Sequence, residues 1–308
     1  DVGEEVLADW ARLFDETGTP PAEARLLRPV SGADLSAIST LAQQTRRLEG
    51  VSYYWTRGFE EDRSKRAELI AWDTRTPEAW NDVILQGPNF SAANPFNQFP
   101  NEHCRHQRDY TDWDLEMLSE KVIPRTNYQR VCEHEIYDAQ AADWGGRRST
   151  SVWRVIWRRM TQPGLERSVH LALLPPGPTA VGTTYQLALK SRSNEDLAFL
   201  AGLAVSIPLD YMVKISGRTD LHLDLVGRWP IPSGVNLRTQ LLLRVLRLNC
   251  LIADYASLWE ELFDARWRQD GWTDQGLTRV AIGGIDSVWT MDTPLRRDRD
   301  RWQALVEI

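Results

Sequence analysis

The chain holds 308 residues, 42% of them hydrophobic and 26% charged, with a formal net charge of −7. That length allows one large domain or two ordinary ones, and the apolar share is enough for a real core, which argues against bulk disorder. Three widely spaced cysteines, Cys104, Cys132 and Cys250, argue against a disulfide scaffold and for a reducing, cytoplasmic compartment.

Residues 1–30 carry seven acids against three arginines. Val6, Leu7, Trp10, Leu13 and Phe14 form a helical stripe there, which Gly18-Thr19-Pro20-Pro21 stops. Ser31-Gly32-Ala33-Asp34 offers capping chemistry for a second helix running to about Leu48. Ser52-Tyr53-Tyr54-Trp55 reads as a strand or aromatic edge, and Val83-Ile84-Leu85 as a short buried strand. A loop over 86–102, QGPNFSAANPFNQFPNE, is crowded with Pro, Asn and Gly, and such a loop inside a compact domain is often functional. A mostly helical subdomain over 1–124 is therefore expected, followed by a second domain over 125–308.

From Ser151 the pattern turns to strands. Val152, Val155 and Ile156 with Trp153 and Trp157 make one, and Val169-His170-Leu171-Ala172-Leu173-Leu174 the next. Pro175-Pro176-Gly177-Pro178 turns the chain, and Thr183 to Lys190 returns it. Asn194-Glu195-Asp196 caps a helix over 197–213 that Pro208 should kink or divide. Trp229-Pro230-Ile231-Pro232 reads as stiff and extended. A long helix follows over 237–267. Its seam of Leu241, Val245, Leu248, Ile252, Tyr255, Trp259 and Leu262 has the coiled-coil period and is expected to pack on the chain's own body. The class that results is mixed α+β: a helical N-terminal part, then a mixed or antiparallel sheet packed by a kinked helix and a long helix. No apolar run approaches the roughly 18 residues of a membrane span, so no membrane partner is expected. The chain starts at Asp1 without methionine and ends in what looks like an interrupted helix, so it reads as a piece of something longer.

Charge is segregated. Residues 147–192 hold eight bases and one acid, Glu166, inside an acidic chain. Such segregation suggests a surface for a polyanion. In a strand, Arg154 and Arg158 share one face and Trp153 and Trp157 the other, which predicts a ribbon with bases out and aromatics in. Arginine's planar fork suits phosphate and the O6/N7 edge of guanine. Lys214-Ile215-Ser216-Gly217-Arg218 adds a basic turn with a small hydroxyl.

Catalytic signatures are missing. Gly283-Gly284 has no GxGxxG frame, Asn94-Pro95-Phe96 lacks the second proline of an Asn-Pro-Pro-aromatic tetrad, and there is no Walker loop or GxSxG elbow. Cys104-Arg105-His106 and Cys132-Glu133-His134 could supply four zinc ligands, although zinc sites more often use two- to four-residue spacers within each pair. No metal is expected.

The order of motifs is the specific part: WRVIWRRM, ERSVHLALLPPG, LAFLAGLAVSIPLDYMVK, then SGRTDLHLDLVGRWPIP. It resembles the C-terminal specificity region of restriction–modification adenine DNA methyltransferases with a TaqI-like target-recognition domain. LQGPNFSAANPFNQFP, IPRTNYQR and TMDTPLRRDRDRWQALVEI are also similar to parts of that family. The resemblance implies that the chain reads double-stranded DNA for a restriction–modification or phage-defence system. It also implies that a methyltransferase domain upstream in the same polypeptide binds S-adenosylmethionine, with no cofactor in this part. The residues expected to contact DNA are Arg125, Asn127, Tyr128, Arg147, Arg148, Arg154, Arg158, Arg159, Lys190, Arg192, Lys214, Ser216 and Arg218. Two other readings stay open: a protein-interaction module of a defence complex, and an enzyme with an unrecognised site near residues 94–106.

Overall fold

The computed structural model describes residues 2–27, 31–106, 108–162, 164–232, 237–274 and 280–308. Helix α1 (Glu4–Phe14) buries Trp10, Leu13 and Phe14 from its stripe and packs on α2 (Gly32–Gln43). The Ser31 hydroxyl accepts from Asp34 N at 3.3 Å, and the Asp34 carboxylate accepts from Ser31 N at 2.8 Å, a reciprocal box at the helix start. The helix stops at Gln43, short of Leu48, because the chain leaves it to pair with the extended Trp229–Pro232 segment. Ile231 N donates to Arg46 O, and Leu48 N to Trp229 O.

Next come β1 (Tyr53–Thr56), α3 (Glu61–Arg66), β2 (Ile70–Arg75), β3 (Ile84–Leu85), β4 (Gln98–Pro100), β5 (Tyr110–Asp112) and β6 (Thr126–Arg130). They lead into α4 (His134–Ala139), β7 (Arg154–Arg158), β8 (Leu171–Leu174), β9 (Thr179–Ala180) and β10 (Thr184–Leu189). The central sheet is antiparallel with the order β1-β10-β7-β8. Tyr54 lies opposite Ala188, Gln186 opposite Ile156, and Val155 opposite Leu173. Elsewhere β2 pairs with β6, β4 with β5, and β3 runs parallel to β9. The class is mixed α+β, as the sequence patterns predict. The expected division at 124/125 is different in the structure: the pairings β1–β10, β2–β6 and β3–β9 all cross it, so the two segments share sheets and core. The first segment also contributes five strands among the described residues, where a mostly helical unit was expected.

Both faces of the sheet's centre are covered. Val155, Trp157, Leu171, Leu173, Tyr185 and Leu187 alternate onto one face and join the large helical core. Ile156, Ala172 and Leu174 point the other way, against Val83, Leu85, Phe90 and Ala180 of the β3–β9 layer.

The helical layer is built from α5 (Asn194–Val205), α6 (Ile207–Ile215), α7 (Leu223–Val226), α8 (Arg238–Asn249), α9 (Ala256–Leu262) and α10 (Asp298–Glu307). Ser193 caps α5, its hydroxyl accepting from Asp196 N at 3.1 Å. The chain bends by 56° between α5 and α6, where Pro208 sits in the first turn; a ring without an N–H is tolerated there and nowhere deeper in a helix. A Cβ on Gly202 would stand 2.2 Å from Leu241 Cδ2, so glycine sets the close approach of α5 and α8. The single long helix expected over 237–267 is instead divided at Cys250. Buried Asn249 accepts from Leu173 N at 2.9 Å and donates to Val245 O at 2.8 Å, which ties the last turn of α8 to β8 and ends it. The seam still faces inward: Leu241 through Trp259 are buried and Leu262 is half-buried against the core. No single helix among the described residues is long and apolar enough to cross a membrane.

Candidate nucleic-acid interface

The arginine strand does not present its bases to solvent. Arg154 is 0% exposed, its guanidinium donating to Gln186 Oε1 at 2.7 Å, Val152 O at 3.0 Å, Pro175 O at 3.2 Å and Pro178 O. Burial lowers its pKa to about 9. Arg158 is mostly covered, donates to Phe90 O through Nε and Nη2, and burial lowers it to about 10. The expected ribbon fails because β7 is a central strand whose second face is roofed by the β3–β9 layer, so its arginines serve as clasps for backbone carbonyls.

Other expected contacts are also committed elsewhere. Arg159 pairs with Asp220 at 2.9 Å and Arg218 with Asp224 at 3.3 Å. Lys214 donates to Leu165 O at 2.8 Å. Ser216 is nearly buried, and its hydroxyl donates to Val213 O at 2.6 Å. On β6, Tyr128 is buried, with its hydroxyl donating to Glu61 Oε2 at 2.6 Å. Arg125 rests over the Phe99 ring, 6.0 Å from its centroid, and lies 3.5 Å from Glu102. Asn127 is buried in a polar cluster with Gln86 and Tyr110. The two Cys-x-His pairs do not meet: Cys104 Sγ accepts from Asn127 Nδ2, whereas Cys132 Sγ donates to Leu69 O. Among the described residues no three His, Cys, Asp or Glu side chains are placed to hold a metal ion.

Four of the expected residues lie on two joined turns, although one of them, Arg148, spends Nη1 on Ala141 O at 3.1 Å. The turn before β7 carries exposed Arg147 and Arg148, and the turn after β10 carries exposed Lys190 and Arg192. Arg192 Nη2 donates to Gly145 O at 3.2 Å, which links the two turns. Between them Tyr54 of β1 stacks on Trp144, with centroids 6.1 Å apart and planes 10° from parallel. Lys190 Nζ stands 5.1 Å from the centre of the Tyr54 ring, in cation–π range. Arg147, Arg192, Trp153 and Asn194 help line the adjoining cleft of about 170 Å³, which no carboxylate lines. The nearest acids on α5 are occupied, since Arg238 holds both Glu195 and Asp196.

Sequence reasoning missed the aromatic half of this shelf. Asp143-Trp144-Gly145-Gly146 carried the signal, being a turn sequence between two arginine-bearing stretches. The Asp143 carboxylate accepts from Gly146 N at 3.0 Å, and Gly145 has φ of +67°. A Cβ there would lie 2.4 Å from the Tyr54 hydroxyl, so glycine lets the turn sit against the ring.

Compared with known proteins, the chain matches no family model and no curated protein sequence.

Proposed function

We propose that the chain is a DNA-recognition module, the sequence-reading part of a larger adenine DNA methyltransferase of a cytoplasmic restriction–modification or phage-defence system. One observation carries the DNA half of this reading. Arg147, Arg148, Lys190 and Arg192 have no ion-pair partner among the described residues and gather on two joined turns, in an acidic protein where other surface arginines, among them Arg12, Arg75, Arg238 and Arg266, are paired with carboxylates. Four unneutralised cations around a stacked aromatic pair suit a phosphate backbone. The methyltransferase half rests on the order of motifs, and a catalytic domain in the same polypeptide would bind S-adenosylmethionine.

The test is duplex binding across a salt series. If all four cations meet phosphate, the log–log slope is about −3.6, and each of Arg147→Ala, Lys190→Ala and Arg192→Ala lowers its magnitude by about 0.9. Arg218→Ala, which removes a base already paired with Asp224, leaves it unchanged. Parent-like slopes for the three shelf variants would overturn the reading.

A further inference from the structure

A second cleft, of about 380 Å³, opens at the other end of β7, beyond Arg158. Its size falls at the lower end of small-molecule pockets, about 300–1,000 Å³. No carboxylate lines it, and Arg158 is its permanent cation, so a cationic ligand would find no counter-charge.

Its polar groups have an order. The Gln86 amide oxygen accepts from Tyr110 OH at 3.0 Å and from Asn127 Nδ2 at 3.0 Å. Asn127 is itself fixed, its Oδ1 accepting from the Thr74 hydroxyl at 2.9 Å. With its oxygen taken, Gln86 has its Nε2 donors to spare. Arg158 spends Nε and Nη2 on Phe90 O, which leaves Nη1. His170 has both ring nitrogens buried without a partner, and burial and the nearby Arg158 and Arg167 hold it neutral, with its pKa lowered to about 3. A neutral imidazole with two unmade hydrogen bonds lacks a partner of matching size and polarity. Trp72 lines the mouth with a ring 45% exposed, braced edge-on by Tyr128 at 5.1 Å. Burial raises the Cys104 thiol above its ordinary pKa, so the cleft's buried thiol and its buried imidazole, His170, are both uncharged. The cleft is equipped to bind rather than to react.

We propose that this cleft receives a single nucleobase with a keto oxygen where adenine and cytosine carry an amine, guanine through O6 or thymine through O4, stacked on Trp72 and held through that oxygen by Gln86 and Arg158. The base arrives either as a free nucleoside or unpaired from a DNA duplex. Only the duplex form rests on the function proposed above.

Two titrations of the whole chain test this, both read by tryptophan fluorescence. In the first, guanosine and thymidine quench saturably, adenosine and cytidine at least tenfold more weakly, and inorganic phosphate does not compete. Gln86→Glu replaces the donor by an acceptor of the same shape and abolishes the preference. In the second, a duplex with one unpaired guanine binds about tenfold tighter than the fully paired duplex, and exposed Trp72→Leu removes that gain without changing the salt slope. Circular dichroism confirms that both variants are folded. If the gain survives both substitutions, or phosphate displaces guanosine, the proposal is overturned while shelf-dependent duplex binding stands. If neither duplex binds but guanosine does, the cleft stands and the DNA function falls.

Discussion

Arg154 Nε donates to Gln186 Oε1 at 2.7 Å across neighbouring central strands, with both side chains buried and no carboxylate in contact. The rest of the guanidinium grips the carbonyls of Val152, Pro175 and Pro178. It thereby pins the Pro175–Pro178 turn to the sheet. Replacing Arg154 by alanine should cost about 3 kcal/mol or more in urea denaturation, because buried acceptors lose their donors. Lysine will not rescue it, lacking the planar fork. A folded Arg154→Lys protein should keep the parent's salt slope for duplex, since this arginine never reaches phosphate.

The pH dependence of stability should carry the signature of His170. Burial first, then Arg158 and Arg167, lower its pKa from 6.5 to about 3. Between those values the unfolded chain holds up to one proton more than the folded chain. Stability therefore falls as pH drops through this window, by at most about 1.4 kcal/mol per unit. Denaturation of the parent and of His170→Gln from pH 7 to pH 4 checks this, with the shallower slope expected in the variant.

Much of this was legible in the sequence, and the failures around the arginine strand have a common physical cause. The alternation in 154–158 placed β7, and the heptad seam identified the core face of α8 and α9. Period-two alternation says which side chains share a face but cannot say whether water lies there. The roof over Arg154 comes from Ile84–Leu85 and Thr179–Ala180, two short strands far apart in sequence. The same blindness explains the basic run, in which Arg154, Arg158 and Arg167 all donate to main-chain carbonyls of the protein. The break at Cys250 was hidden for another reason, since it depends on Asn249 bonding to a strand, which no local pattern records.

Gly145→Ala should disturb the shelf without reaching the core. The new methyl meets the Tyr54 hydroxyl, and φ of +67° is unfavourable for alanine. A loss of about 1–3 kcal/mol is expected, together with weaker duplex binding. Tyr54→Phe in the Gly145→Ala background should recover part of both, because it removes the oxygen that clashes.

Trp259 and Leu262 should differ sharply. Trp259 is fully buried and its indole donates to Asp286 O at 3.1 Å, so alanine there should cost about 3–5 kcal/mol. Half-buried Leu262 leaves less surface to lose, about 1–2 kcal/mol. Chemical denaturation separates the two; equal, small losses would mean that the seam contributes little to the chain's own core.

The pairing of β1 with β10 has a kinetic consequence. Lys190 N donates to Ser52 O at 2.9 Å, and the shelf is assembled from Tyr54 on one side of that join and Lys190 and Arg192 on the other. Contacts between such distant parts of a chain form late and slowly, since a large loop must close before they give any return. Until β1 docks, β10 presents an open edge with Tyr185, Leu187 and Leu189 beside it, the kind of edge that captures another copy. A polypeptide in which β1 has not docked therefore lacks the assembled shelf of Tyr54, Lys190 and Arg192 and has a tendency to self-associate.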